Sequence, residues 1–222
     1  MDSLDFTVVL RFRDALLQGL STTLELTLIC VVLGCSIGFA VGLARTSTNL
    51  VLRNLSSVYV EFFRGTPVLI QLFWIFFCLP LLLGIELSNF ASGVIALTLY
   101  MGAITSETFR ASLKSIGREQ YDACVALGLP RWTQITSVVL PQALLRAIPT
   151  LLSNCVSLFK ESALVSAVGM ADLMFIGSNI SNNTARPVEV LTVVALIYFV
   201  IAFPLTRAVT VIERRILQKL AV

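Results

Sequence analysis

The chain has 222 residues, 57% of them hydrophobic and only 13% charged, with a formal net charge of +3. A soluble domain carries about a quarter charged residues, so the balance makes lipid the expected solvent and one domain the expected organisation. Histidine is absent, which excludes Ser–His–Asp chemistry, Cys–His chemistry and His-bearing zinc sites within this chain alone; no nucleic-acid partner is expected.

In chain order, residues 1–19 mix Phe6, Val8, Val9, Leu10, Phe12, Leu16 and Leu17 with charges. A helix in the outer interface suits them, as does an ordered tether with no function of its own. With Asp2 and Asp5 leading, the start does not read as a cleavable signal, which opens on basic residues. Five apolar windows follow, at about Leu20–Ala44, Ser57–Leu83, Phe90–Leu113, Ala143–Gly169 and Val188–Ile212. Each is long enough to cross hydrocarbon as a helix, which takes about 20 apolar residues. Continuous rather than alternating runs point to helices and not a barrel. The expected fold class is an all-α membrane protein with five transmembrane helices. The segments between them divide into a cytoplasmic loop at 114–142 and a tail at 216–222.

Lys and Arg fall on alternate connections. Arg45, Arg53 and Arg64 precede or open span two; Arg110, Lys114, Arg118, Arg131 and Arg146 surround the long loop; Arg207, Arg214, Arg215 and Lys219 crowd the end. The other connections carry only Arg11, Arg13 and Arg186, and Lys160 lies within a span. Positive charge stays in the cytoplasm, so the N-terminus is expected outside and the 114–142 loop and C-terminus inside. The five cysteines, Cys30, Cys35, Cys78, Cys124 and Cys155, form no C-x-x-C pair and read as small apolar residues. No metal site is expected.

The loop is the most informative stretch. Tyr121, Cys124, Val125 and Gly128 share one helix face. Gly128 suits a helix end, Pro130 the first turn of a second helix, and Trp132, Ile135 and Val139 make a second stripe that Pro141 should stop. Two short amphipathic helices must bury their stripes on the membrane surface or in a groove of a partner. Here the sequence resembles the signature loop of ABC importer permeases: Glu-Ala-Ala, three residues, Gly, nine residues, Ile, one residue, Leu-Pro. The matching residues are Asp122-Ala123-Cys124, Gly128, Val138 and Leu140-Pro141, with Asp, Cys and Val as conservative departures. Further segments resemble the polar amino-acid branch (histidine, glutamine, glutamate, arginine and opine systems): Leu17-Gln18-Gly19-Leu20 with Thr23-Leu24-Glu25-Leu26-Thr27, Glu61-Phe62-Phe63-Arg64-Gly65-Thr66-Pro67, and Leu158-Phe159-Lys160-Glu161-Ser162-Ala163-Leu164.

The resemblance covers about residues 16–215 and implies a type I ABC importer permease fold with a cytoplasmic coupling helix, in a bacterial inner membrane. It implies a second permease subunit, identical or related, two ATP-binding cassette ATPase subunits and an extracytoplasmic amino-acid-binding protein. ATPase coupling would rest on Asp122, Ala123, Cys124, Gly128, Trp132 and Ile135. No G-x-x-x-x-G-K-[ST] loop is present, so ATP with its Mg²⁺ would be held by the partner ATPase and no cofactor by this chain.

Charges inside spans pair or line polar pathways. Glu61–Arg64 and Glu107–Arg110 are each three apart, as local ion pairs or as a gate. Lys160 and Glu161, with Asn154 about two turns earlier and Ser162 next, are candidates for a substrate pathway: one cation and one anion for a zwitterionic amino acid. Pairing with other spans is the alternative. Gly34, Gly38 and Gly42 form a double Gly-xxx-Gly suited to close helix packing. Gly65-Thr66-Pro67 and Pro149 read as kinks. Competing readings are an ion-driven secondary transporter, an intramembrane enzyme and a membrane scaffold; the first lacks an inverted repeat and leaves the loop without a task, the second lacks a nucleophile–base pair, and the third is the one the sequence excludes least well.

Overall fold

A computed structural model describes residues 5–220. Residues 1–4 of the expected outer segment and 221–222 of the tail lie outside the described residues. Described secondary structure is helical throughout. Helix α1 covers Thr7–Arg11, and α2 covers Arg13–Ala44. At about 1.5 Å per residue α2 is long enough to span with length to spare.

In lipid the sides of α2 differ by size rather than polarity. Its buried stripe is Leu16, Gly19, Thr23, Leu26, Cys30, Gly34, Gly38 and Gly42, at steps of three and four. The glycines lie against α6, which spans Asn89–Lys114. A Cβ on Gly34 would stand 2.6 Å from Met101 Cβ, and one on Gly38 2.7 Å from the Gly102 carbonyl oxygen. The small-residue stripe therefore packs within the subunit. Around α6 the main core gathers Leu26, Leu72, Ile75, Leu97, Met101 and Leu158.

The second expected span is bent. Helix α3 (Leu50–Gly65) starts at an Asn49 cap, whose Oδ1 accepts from the Val51 and Leu52 N–H groups at 3.0 and 3.4 Å. The next helical stretch, Val68–Leu83, is turned by 108°. Pro67 causes the break: it holds Thr66 extended and has no N–H to give. Gln71 repairs the loss, its Nε2 donating to the Phe63 and Thr66 carbonyls at 2.8 and 3.0 Å. The window 57–83 is thus not one straight span. Its second arm, Val68–Leu83, made of α4 (Val68–Phe73), a π-helical turn and α5 (Leu79–Leu83), carries no charged residue, unlike α3 with Arg53, Glu61 and Arg64.

Pro141 does not stop the loop's second stripe. Helix α7 (Arg118–Ala126) is separate, but α8 (Arg131–Thr133) runs through a π-helical turn at Gln134–Val139 into α9 (Leu140–Glu161). The wide turn spreads the backbone where the proline ring would meet the carbonyl four residues back. Trp74–Cys78 makes the same turn before Leu79-Pro80. The second loop helix is therefore the projecting end of span four. Pro149 is carried inside α9, and the helix then tightens to 3₁₀ over Ser162–Val168 instead of unwinding.

Helix α10 (Leu173–Thr184) was not expected within the connection before span five. Asp172 caps it, accepting from Phe175 and Met174 N–H at 2.9 and 3.2 Å. Leu173 N–H donates to Thr23 Oγ1 at 3.1 Å, tying α10 to α2. Burial pushes the Asp172 carboxyl above its ordinary value, against the pull of those N–H donors. Helix α11 (Pro187–Leu220) completes a second core with Val9, Leu16, Leu173, Ile180, Val190 and Val194. Asp5, Arg186 and Glu189 meet at this end: the Asp5 N–H donates to Glu189 at 3.3 Å, and Arg186 lies 3.9 Å from Asp5.

Close approach at Gly38 predicts that Gly38→Val destabilises the solubilised chain by about 1–3 kcal/mol. Gly42→Val, whose Cβ would meet Phe109 Cβ at an ordinary 3.6 Å, should do far less. Thermal unfolding followed by size-exclusion chromatography checks the difference.

Candidate functional site

The elbow between α7 and α8 is built from its backbone. Gly128 adopts φ +66°, its N–H donates to Val125 O at 2.9 Å, and Leu129 N–H donates to Cys124 O at 3.0 Å. This is a Schellman closure, and the left-handed residue at its centre favours glycine. Gln134 Nε2 then donates to Leu129 O at 2.7 Å and locks α8 to the turn. Of the expected coupling residues, Cys124 is buried, whereas Asp122, Ala123, Gly128, Trp132 and Ile135 are exposed. Val125, Leu127 and Trp132 are 67%, 75% and 76% exposed. Such a projecting apolar knob has no cover among the described residues.

The four charges placed as two ion pairs do not form two pairs. Glu107 collects Arg45 at 2.8 Å, Arg64 at 3.7 Å, and Arg110, whose Nε donates at 2.9 Å and whose Nη2 also bonds it. Glu61 is exposed and has no ion pair among the described residues. Arg64 reaches instead to Glu107, where the carboxylate side chain is only 17% exposed and its field less screened by water. Arg45 was missed by the sequence reading, yet it continues the Gly34, Gly38, Gly42 stripe by one more step of three.

The substrate-pathway candidates also part company. Asn154 Nδ2 donates to Thr108 Oγ1 at 3.1 Å, facing α6. Glu161 accepts from the Tyr100 hydroxyl at 3.2 Å, also toward α6. Ser162 is fully buried and donates to Phe159 O at 2.8 Å. Lys160 alone is exposed, because adjacent helical residues point about 100° apart. It lines a polar furrow of about 300 Å³ between α9 and α11, with Ser153, Ser157, Thr206, Thr210 and Glu213. That furrow could have been found in the sequence. Ser153, Ser157 and Lys160 on one helix, and Thr206, Thr210 and Glu213 on the other, both run i, i+4, i+7. Among the described residues no group of three His, Cys, Asp or Glu could hold a metal ion.

Apolar crossings, a polar furrow along two of them and a rigid helical elbow define a membrane transport subunit. Relatives agree. The arginine transport system permease protein ArtQ of Bacillus subtilis is 33% identical over 96% of this chain and 98% of its own length. The L-cystine transport system permease protein TcyB of the same organism is 36% identical over 92% and 88%. An amino acid ABC transporter solved with histidines has a chain 31% identical, with a TM-score of 0.92 over 96% of this chain and 99% of its own. The chain belongs to the family of binding-protein-dependent transport system inner membrane components, whose pattern it matches over residues 33–218. It is a permease subunit of an ABC importer with the type I fold, a non-catalytic membrane component.

The Glu107 cluster predicts a contrast between two carboxylates. Removing the shared acceptor of a partly buried ion cluster leaves its arginines uncompensated, so Glu107→Gln should cost about 1–3 kcal/mol in the isolated chain. Glu61→Gln should stay within about 0.5 kcal/mol. Denaturation of the detergent-solubilised protein measures both.

Proposed function

We propose that this chain forms half of the membrane pathway for a polar or charged amino acid, delivered by an extracytoplasmic binding protein and driven by separate ATPase subunits. The observation that carries the coupling is the exposed apolar elbow around Gly128. An uncovered Val125–Leu127–Trp132 surface suits a groove on another protein. Asp122, Ala123 and Ile135 edge the same elbow, and buried Cys124 anchors its base. Because α8 continues into α9, a push on the elbow is delivered directly to span four. ATP closing two ATPase subunits would carry the elbow with it and rock α9, exchanging inward-open for outward-open.

The furrow supports the pathway. Lys160, Glu213 and five hydroxyl side chains lie on an exposed face of a bundle that sits in lipid. Such a surface is stable in hydrocarbon only if another chain covers it or water fills it. A second permease, identical or related, placed across α9 and α11 would close it into a channel. Lys160 would meet the carboxylate of an amino acid, and Glu213, toward the other end of the furrow, would add a negative charge to its wall. In this reading Glu161, Asn154 and Ser162 position α9 against α6 rather than touch substrate. The glutamine, arginine and cystine systems among the relatives support an amino-acid cargo. The asymmetry of Lys and Arg supports an N-terminus outside and a C-terminus in the cytoplasm.

Vesicles containing the complete complex test the coupling. Gly128→Asn tolerates the left-handed backbone and should keep most uptake, whereas Gly128→Val should lose uptake at least tenfold while ATP hydrolysis continues and the complex still assembles. Equal uptake by both variants contradicts the elbow's role. Uptake without the ATPase contradicts the importer reading itself.

A further inference from the structure

The structure holds a second cationic feature that coupling does not use. Beneath the Glu107 cluster a recess of about 610 Å³ opens between the end of α2, the first turns of α3, the end of α6 and the start of α7. Five cations line it: Arg45, Arg53, Arg110, Lys114 and Arg118. Glu107 engages Arg45 and Arg110. Arg53, Lys114 and Arg118 are exposed and have no carboxylate partner among the described residues. Thr46, Asn54 and Ser57 add neutral donors to the same wall. Several cations converging on one hollow with hydroxyl and amide donors make a phosphate site.

Helix α3 indicates the source of that phosphate. Its bend of 108° from the following helix and its charges Arg53, Glu61 and Arg64 set it apart from the uncharged Val68–Leu83. One side carries the recess residues Arg53, Asn54 and Ser57. Another carries Val51, Leu55, Val58 and Phe62, at steps of four, three and four, each 57–67% exposed. A helix with these two faces lies in the plane of a membrane interface, apolar side toward acyl chains. Basic hollows between transmembrane helices on the cytoplasmic side hold anionic lipid headgroups.

We propose that this recess binds the headgroup phosphate of an anionic phospholipid, whose acyl chains lie along the exposed face of α3. The bound lipid sets its negative charge among Arg53, Lys114 and Arg118 and clamps α3 to α6 and to the root of the coupling helix α7. Assignment to the inner leaflet rests on the orientation proposed above; the binding itself does not, because it is measured without transport.

The full-length chain, held in micelles containing equal phosphatidylglycerol and phosphatidylcholine, is examined by native mass spectrometry for retained lipid. Wild type should retain phosphatidylglycerol preferentially. Arg53→Gln, Lys114→Gln and Arg118→Gln should each weaken retention about fivefold, and their combination should abolish the preference. Arg214→Gln with Arg215→Gln, two exposed positions of α11 outside the recess, should leave it intact. The single Arg53→Gln variant, an exposed change early in α3, serves if the triple variant does not fold. Equal retention of both lipids by wild type overturns the proposal, as does a preference untouched by Arg53→Gln. Displacement by millimolar glycerol phosphate alone would make this a site for soluble phosphate. Displacement by added ATPase subunit would make it a protein interface. Either result also overturns the lipid assignment.

Discussion

Hydrocarbon offers no hydrogen bonds, so every place where this chain bends must supply its own donors and acceptors. The fold is organised around that demand. At Gly65–Pro67 the chain turns sharply and Gln71 restores the lost bonds with a side-chain amide. At Pro80 and Pro141 the helix is widened by a π-helical turn instead of broken. Asp172 supplies the donors of α10 with carboxylate acceptors at a fully buried helix start. These repairs keep the backbone hydrogen-bonded through each bend. In the proposed mechanism a motor acting on one end of α9 shifts its other end.

Close packing supplies the second half of the rigidity. Lipid tails are as apolar as leucine, so helix association in a membrane comes from contact rather than from escape from water. Gly34 and Gly38 bring α2 within touching distance of α6, and the Glu107 cluster ties the same pair, through Arg45, where the glycine stripe ends. These contacts form the fixed frame. The elbow and the furrow lie on its periphery, on α7 to α9 and on α11, where other subunits can reach them.

Much of this was legible from residues alone. Four of the five apolar runs correspond to helices long enough to cross, the glycine stripe marks the packing face of α2, and Gly128 with Pro130 marks the elbow. Other features were hidden for identifiable reasons. A proline normally stops a helix, and nothing in the local sequence announces that a π-helical turn will carry the chain past Pro141. Glu61 and Arg64 satisfy the i, i+3 rule, yet the less screened Glu107 wins the arginine from a different helix; spacing within one helix cannot report a competitor on another. Lys160 and Glu161 read as one site because their opposite charges suit the two ends of an amino acid, but regular helix through Glu161 points them at different neighbours. The furrow's twin i, i+4, i+7 patterns were readable but mean little until α9 and α11 are side by side.

Together these features describe a frame, a lever and a polar seam: α2 with α6, the elbow continuing into α9, and α9 facing α11. The lever is the element on which the account depends. A photocrosslinking residue at Trp132 in the assembled complex tests it most directly. Crosslinks from that position should run to the ATPase subunit and change in yield when ATP is added. Crosslinks to lipid alone, with or without nucleotide, would contradict the account.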